Sequence, residues 1–438
     1  WAPARCVAAW ALLVGALAAG TPCVPPPGST LLVLGQDRDA IAGYAQAFGA
    51  PAGAAAYTSL PDLQGLMDPA DYGSGVEHAE ALVEAYPGAV VQLAVYLVGE
   101  LANVTAGAHD LPIRALADWI AAARVPVYLR LGYEFDNPSN GYEPEAFAAA
   151  FRHIVRAIRA RGVPNVAFVW HAWGFEPWGG RPLSAWYPGD AFVDWACVSA
   201  FQQVFGGAHM EHMRDMARFA EAHGKPLGIC EATPFGGLSR GANGTTHVAA
   251  PGVPEGYSAD TWADWFEPLL AFVRDHEVRL LSYINCDWDA QPMWKGQGWG
   301  DTRLEADGRH ASLWRERVLA SDRFAPACEE GTTLDAEPNS AITELAARGR
   351  RVTLPAMDPG PMSPGERVVV LLAIAVGLFT TLAAAVAFGS DWGTRRGQQS
   401  SYEAFEAPLM PLGDAQRELE PASNAEGASA HLHQATSP

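Results

Sequence analysis

Positive charge is scarce in this chain. Its 438 residues carry 29 Lys and Arg against 49 Asp and Glu, for a net charge of -20. Phosphate backbones are held by clustered cations, so the balance argues against a nucleic acid as partner. An anionic substrate would need a local basic pocket to overcome the global sign. Cysteine is also sparse: six residues, with no CxxC pair and no His/Cys cluster, so no pattern of metal ligation. Neither a metal nor an organic cofactor is implied. No glycine-rich phosphate loop follows the first apolar run, where Leu34-Gly35-Gln36-Asp37 stands instead. A doubly wound open sheet, the alternative α/β arrangement, would usually need one. No internal repeat is evident beyond a strand–helix alternation.

Apolar residues make up 49% of the chain, ample for one large core, and Trp is abundant at 15. Aromatic rings stack on the apolar faces of sugars, but large barrels also bury many of them. Short apolar runs occur at Leu31–Leu34, Ala54–Thr58, Ala89–Val98, Val125–Leu131, Val166–Trp170, Trp195–Phe201, Leu227–Cys230 and Arg279–Ile284. Most are continuous rather than alternating, as expected of parallel strands buried on both faces; the second is the least strand-like. Helical patterns lie between them, near Glu77–Tyr86, Ile113–Ala123, His209–His223, Ala259–His276 and His310–Ala320. The clearest, Pro144 to Arg161, has Glu143 at its N-cap, Pro144 at its first position and Gly162 as its stop. The alternation predicts an α/β fold, a (β/α)8 TIM barrel over residues 29–320.

The flanks read differently. Arg5, the apolar run Cys6–Ala19 and the small-x-small site Ala16-Leu17-Ala18 suggest a signal peptide over residues 1–20. Periodicity is lost over a stalk at 321–366. Residues 367–390 are apolar enough to cross a bilayer as one helix, leaving 391–438 as a cytoplasmic tail. Arginines stand on both sides of that span, so the signal peptide rather than charge sets the expected orientation, single-pass type I with the barrel outside or luminal. The sequons at Asn103 and Asn243 agree as glycosylation sites. Cys23 and Cys328 bracket the barrel, whose chain ends meet, and a disulfide between them fits an oxidising compartment. Cys197, Cys230 and Cys286 fall in strands and read as buried inert thiols.

Barrel active sites lie at the C-terminal ends of the strands. The fourth run ends Arg130-Leu131-Gly132-Tyr133-Glu134-Phe135-Asp136, and the seventh ends Ile229-Cys230-Glu231-Ala232. Each sets a Glu at a strand mouth in an apolar setting. Two facing carboxyls, one protonated and one ionised, are what glycoside hydrolysis requires. The structural alternative is an ion pair, such as Glu134 with Arg130.

This placement matches the clan of retaining β-glycosidases with catalytic Glu on strands four and seven. Tyr128–Glu134, Phe168-Val169-Trp170-His171, Trp186-Tyr187-Pro188-Gly189-Asp190 with Val193-Asp194-Trp195, and Ile229–Ala232 resemble glycoside hydrolase family 26, the β-mannanase family, over about Thr30 to Leu319. The resemblance implies Glu134 as acid/base, Glu231 as nucleophile, double displacement on a β-linked polysaccharide (β-mannan first, β-glucan or xylan behind it), endo action and a monomer. Two departures stand out. Tyr133 takes the position before the acid/base, where the family usually has His and the clan often Asn. The sixth run ends Phe201-Gln202-Gln203, so Gln202 or another residue must replace the Tyr that the clan commonly offers to the nucleophile. By position, Arg130, Tyr133, Trp170, His171, Gln202, Trp288, Asp37, Tyr96 and Asn285 are the candidate substrate contacts, with Trp288 as the sugar platform. Trp178, Trp294 and Trp299 lie in Gly-rich loops that favour exposure. An inactive membrane-anchored carbohydrate receptor, or a structural surface protein with no sugar site, are the other readings.

Overall fold

A computed structural model describes residues 21–207, 210–238, 260–325, 327–328 and 333–334. The signal peptide, the span at 367–390, the tail at 391–438, Asn243 and nearly all of the stalk lie outside the described residues. No helix among the described residues is long and apolar enough to cross a membrane.

Eight strands form the barrel: β1 Thr30–Gly35, β2 Gly53–Ser59, β3 Val90–Tyr96, β4 Val127–Leu131, β5 Val166–Ala172, β6 Trp195–Ala200, β7 Leu227–Ala232 and β8 Leu280–Ile284. Each pairs in parallel with the next, and β8 pairs with β1 to close the ring. The weak second run is a full strand, pairing with β3 over seven residues. Its first residue is closely packed. A Cβ on Gly53 would lie 2.5 Å from Val90 and 2.8 Å from Val33, so the flanking strands leave no room.

The helices are α1 Arg38–Phe48, α2 Ala79–Ala85, α3 Leu101–Thr105, α4 Asp110–Ala123, α5 Pro144–Ala160, α6 Glu211–Ala222, α7 Glu267–Asp275 and α8 Gly308–Trp314. Helix α5 begins at Pro144, where the missing N–H costs nothing, and Gly162 follows it at φ 68°. It buries Phe147, Phe151, Ile154, Val155 and Ile158, which recur at helical spacing along one face.

Two apolar layers result. The larger lies between strands and helices. The smaller fills the lumen with Leu31, Val33, Tyr128, Val169, Trp195 and Leu280, joined by Cys23 and Val24. The Tyr128 hydroxyl donates to the Cys23 carbonyl, tying the incoming chain to the barrel. Cys23 is disulfide-bonded to Cys328, with 5.8 Å between Cα atoms. Cys197 and Cys230 are not free thiols. They form a second disulfide between β6 and β7, with 5.7 Å between Cα atoms. Gly228 makes the space: a Cβ there would lie 2.6 Å from the Cys197 sulfur. Cys286 remains a buried free thiol.

Candidate active site

Strand alternation alone would not bring Glu231 into the barrel. Cys230 points into the lumen, so its neighbour should face the helices. The register between β7 and β6 shifts here: Ile229 stands opposite Val198, yet Glu231 stands opposite Ser199. This bulge re-aims Glu231 toward the lumen, a familiar use of an extra strand residue near active sites.

Glu231 is met there by two groups. Arg130, fully buried on β4, places Nη1 2.6 Å from Oε1. The Tyr57 hydroxyl, from β2, donates to the same oxygen at 2.8 Å. Arg130 is sandwiched by aromatics, its guanidinium carbon 5.2 Å from the Tyr57 ring centre and 5.3 Å from that of Tyr133. The ion-pair alternative for Glu134 is therefore excluded, because Arg130 pairs with Glu231.

Glu134 sits on the turn after β4. Gly132 and Glu134 both have positive φ, 56° and 50°. Holding a non-glycine residue there costs about 1–3 kcal/mol, a strain met at functional sites. Asn140 fixes the turn by donating to the Tyr133 and Glu134 carbonyls. The Glu134 carboxyl accepts from Ser199 Oγ at 2.7 Å on Oε1 and from Asn137 Nδ2 at 3.0 Å on Oε2. Burial, followed by the charge of Glu231, raises its pKa from 4.5 to about 8, against the pull of those two donors. Asp136, on the same turn, is raised to about 7 by burial and accepts from the Trp173 N–H. Two carboxyls thus face each other in opposite settings, one favouring its proton and one matched by a buried cation.

Several positional candidates belong elsewhere. Trp170 is fully buried in the outer layer, stacked on Phe135 at 4.2 Å, because its strand position faces the helices. Trp288 is no open platform: it is 3% exposed, its indole N–H donates to Thr302, and its ring lies 5.0 Å from Trp299, which is also buried. Asn285 is fully buried, its amide spent on Glu305 and the Leu304 N–H. Asp37 caps α1, accepting from the Asp39 and Ala40 N–H groups. His171 is buried behind the carboxyls, touching Arg130 and Ser199. Burial and Arg130 hold its pKa well below the ordinary histidine value, so it is neutral. Gln202 opens the short helical turn Gln202–Gly207, half-buried. The phenol on Glu231 comes from the second strand, as Tyr57, rather than from the sixth.

Tyr133 and Tyr96 do line the mouth. Tyr133 meets Tyr57 edge-on at 5.5 Å and Tyr96 at 6.4 Å, and Tyr96 is 45% exposed. The three rings run from Glu231 toward solvent. Trp178 and Trp294 are half-buried. Asn103 is exposed on α3, its side-chain amide donating to Glu100. Sequence reasoning missed Tyr57, Ser199 and Asn137. Alternation from Trp195 and Cys197 would have set Ser199 on the lumen face.

A closed eight-stranded parallel barrel with two carboxyls at the mouths of its fourth and seventh strands is the architecture of a large class of glycoside hydrolases. Proteins of known description are similar in sequence. The chain is 32% identical over 311 residues to a β-1,3-xylanase of Vibrio sp, covering 68% of this chain and 66% of the relative. It is 31% identical over 311 residues to a β-1,3-xylanase of Alcaligenes sp, covering 68% and 65%. It thus spans just under two thirds of the length of these relatives. Among solved structures, a Cellulomonas fimi endo-β-1,4-mannanase double mutant aligns with a TM-score of 0.47 and 18% identity, over 70% of this chain and 74% of that one. The catalytic domain of a Bacillus sp. endo-β-1,4-mannanase aligns with a TM-score of 0.45 and 15% identity, over 69% and 89%. No protein-family profile matches. The chain is thus similar to (β/α)8 glycoside hydrolases and, among them, resembles family 26.

Proposed function

We propose that this protein is a retaining endo-glycoside hydrolase acting on a β-linked polysaccharide. The observation that carries the reading is the contrast between its two facing carboxyls. Glu231, clamped by Arg130 and Tyr57, is the nucleophile that attacks the anomeric carbon. Glu134, pushed up to about 8 by burial and by Glu231, is the acid that protonates the leaving oxygen. Once Glu231 is esterified its charge is gone, and with it part of what held the proton on Glu134. Glu134 then takes a proton from water, and the sugar leaves with its configuration retained. Tyr133 and Tyr96 offer rings to the substrate. Of the β-linked candidates, β-1,3-xylan comes first, because both relatives above 30% identity carry that activity in their descriptions. β-Mannan and β-glucan follow.

The test is hydrolysis of β-1,3-xylan, β-1,4-xylan, β-mannan and β-glucan by the wild type beside Glu134→Gln and Glu231→Gln. Turnover of one or more members, lost in both variants, supports the assignment. Tight binding without turnover by the wild type would replace it with the receptor reading.

The same reading sets the barrel outside the cytoplasm, on a type I single-pass anchor formed by residues 367–390. Two disulfides in one domain support an oxidising compartment. Protease protection in sealed membranes, with a mobility shift on deglycosylation at Asn103 and Asn243, is the outcome expected. Extraction of the intact chain by alkaline carbonate would contradict the anchor.

A further inference from the structure

The lumen holds a hydrogen-bond chain whose direction is set at one end. Arg130 can only donate. Its Nη1 lies 2.6 Å from Glu231 Oε1 and 3.2 Å from His171 Nδ1. Nδ1 must therefore accept, and a neutral ring then carries its one proton on Nε2. That nitrogen lies 3.0 Å from Ser199 Oγ. Ser199 accepts there, which turns its own proton toward Glu134 Oε1 at 2.7 Å. Arg130, His171 and Ser199 are each 0–1% exposed, so bulk water does not compete at any link.

We propose that His171 and Ser199 are positioning residues for the acid/base. The one-way chain Arg130 to His171 to Ser199 to Glu134 keeps Oε1 as an acceptor and assigns the transferable proton to Oε2. The inference rests on the hydrolase reading of Glu134. It adds a reason why that carboxyl works in both half-reactions without rearrangement. Ser199 donates to Oε1 when Glu134 is protonated and continues to do so when it is ionised. Asn137 Nδ2 lies 3.0 Å from Oε2 and steadies the oxygen that gains and loses the proton. Neither buried residue contacts substrate. Both act by fixing which oxygen of Glu134 carries the proton.

The groups whose charge bears on Glu134 are Glu231 across the barrel, Asp136 on its own turn and Tyr142 beyond it. None changes in a Ser199 variant, so a shifted pH profile reports the lost donor. Ser199 Oγ favours ionised Glu134. Ser199→Ala should therefore move the basic limb of kcat/KM upward, by about half to one pH unit. It should lower kcat on polysaccharide by about tenfold with KM little changed. The loss should be smaller on an aryl glycoside whose nitrophenolate leaving group needs less protonation. Ser199→Thr, which keeps the hydroxyl, should restore the wild-type limb. A basic limb unmoved in Ser199→Ala, with equal losses on both substrates, would mean a packing role only and overturn the proposal. A second measurement needs no turnover. Nitrogen-15 NMR of histidine-labelled protein should show His171 as the neutral Nε2–H tautomer from pH 5 to 9. An Nδ1–H tautomer or a protonated ring would overturn the chain's direction. Wild-type inactivity on every β-linked substrate would instead defeat the hydrolase reading, and the tautomer would still decide the direction of the chain.

Discussion

The mouths of β4 and β7 look, in sequence, much like the mouth of β8. All three end an apolar run in polar and aromatic residues. In the folded chain they do opposite things. At β8, Asn285 gives its amide to Glu305 and accepts from the Leu304 N–H, and Trp288 gives its indole N–H to Thr302. Every one of these polar contacts is made within the chain, and both side chains are buried. At β4 and β7, Glu134 is half-buried and Glu231 is buried with 11% of its side chain exposed, and the pair is set against a buried cation and a row of tyrosines. A polar residue at a strand mouth is part of a site only if the chain leaves some of its chemistry unspent.

That contrast can be broken by substitution. The largest effect should come at the carboxyls. Glu134→Gln should lose about 10²–10⁴-fold in kcat with an unfolding midpoint no lower than wild type, and Glu231→Gln should lose turnover altogether and some stability with it, because Arg130 stays buried without its counter-charge. Steady-state kinetics beside denaturant unfolding separates the two quantities. Next comes Arg130→Met, which leaves a carboxylate in a largely buried site without its cation. It should cost about 3–5 kcal/mol in stability as well as activity. The mirror case is Asn285→Ala. It strands the Leu304 N–H and should cost about 1–3 kcal/mol, while kcat of the folded protein stays near wild type. A large kcat loss there, with stability intact, would return the β8 mouth to the active site.

The smallest effect is a pH dependence of stability. Glu134 and Asp136 are raised in the folded state, from 4.5 to about 8 and from 3.8 to about 7. Between those values the folded chain binds protons that the unfolded chain has lost. Their contribution to stability is therefore full at the acid end and is lost as pH rises toward 8. Glu134→Gln should flatten this decline, so that its unfolding midpoint exceeds that of wild type most clearly near pH 8. A parallel decline in both proteins would mean that Glu134 titrates normally. For activity the sign is the same: the acid must hold its proton, so kcat/KM should fall above about pH 8.

The barrel itself was legible because buried parallel strands have an apolar signature of their own. All eight runs became strands, including the alanine-rich second, whose leading residue Gly53 is crowded by Val33 and Val90. The two glutamates could be found from strand ends alone. What composition could not show was register. The bulge at β7 overrides alternation and brings Glu231 beside Arg130 and opposite Ser199. The phenol on Glu231 arrives from a strand four places round the barrel from β6, as Tyr57, a contact that no local pattern encodes. The pairing of Cys197 with Cys230 likewise depends on Gly228 making room. Trp170 and Trp288 were misjudged because strand-end position says nothing about which layer a ring enters.

The most direct test of double displacement across Glu134 and Glu231 is the anomeric configuration of the first product. Proton NMR during hydrolysis of the polysaccharide selected by the panel, read before mutarotation, should show the β-anomer appearing first. An α-anomer appearing first would mean inversion, and would remove Glu231 from the role of nucleophile.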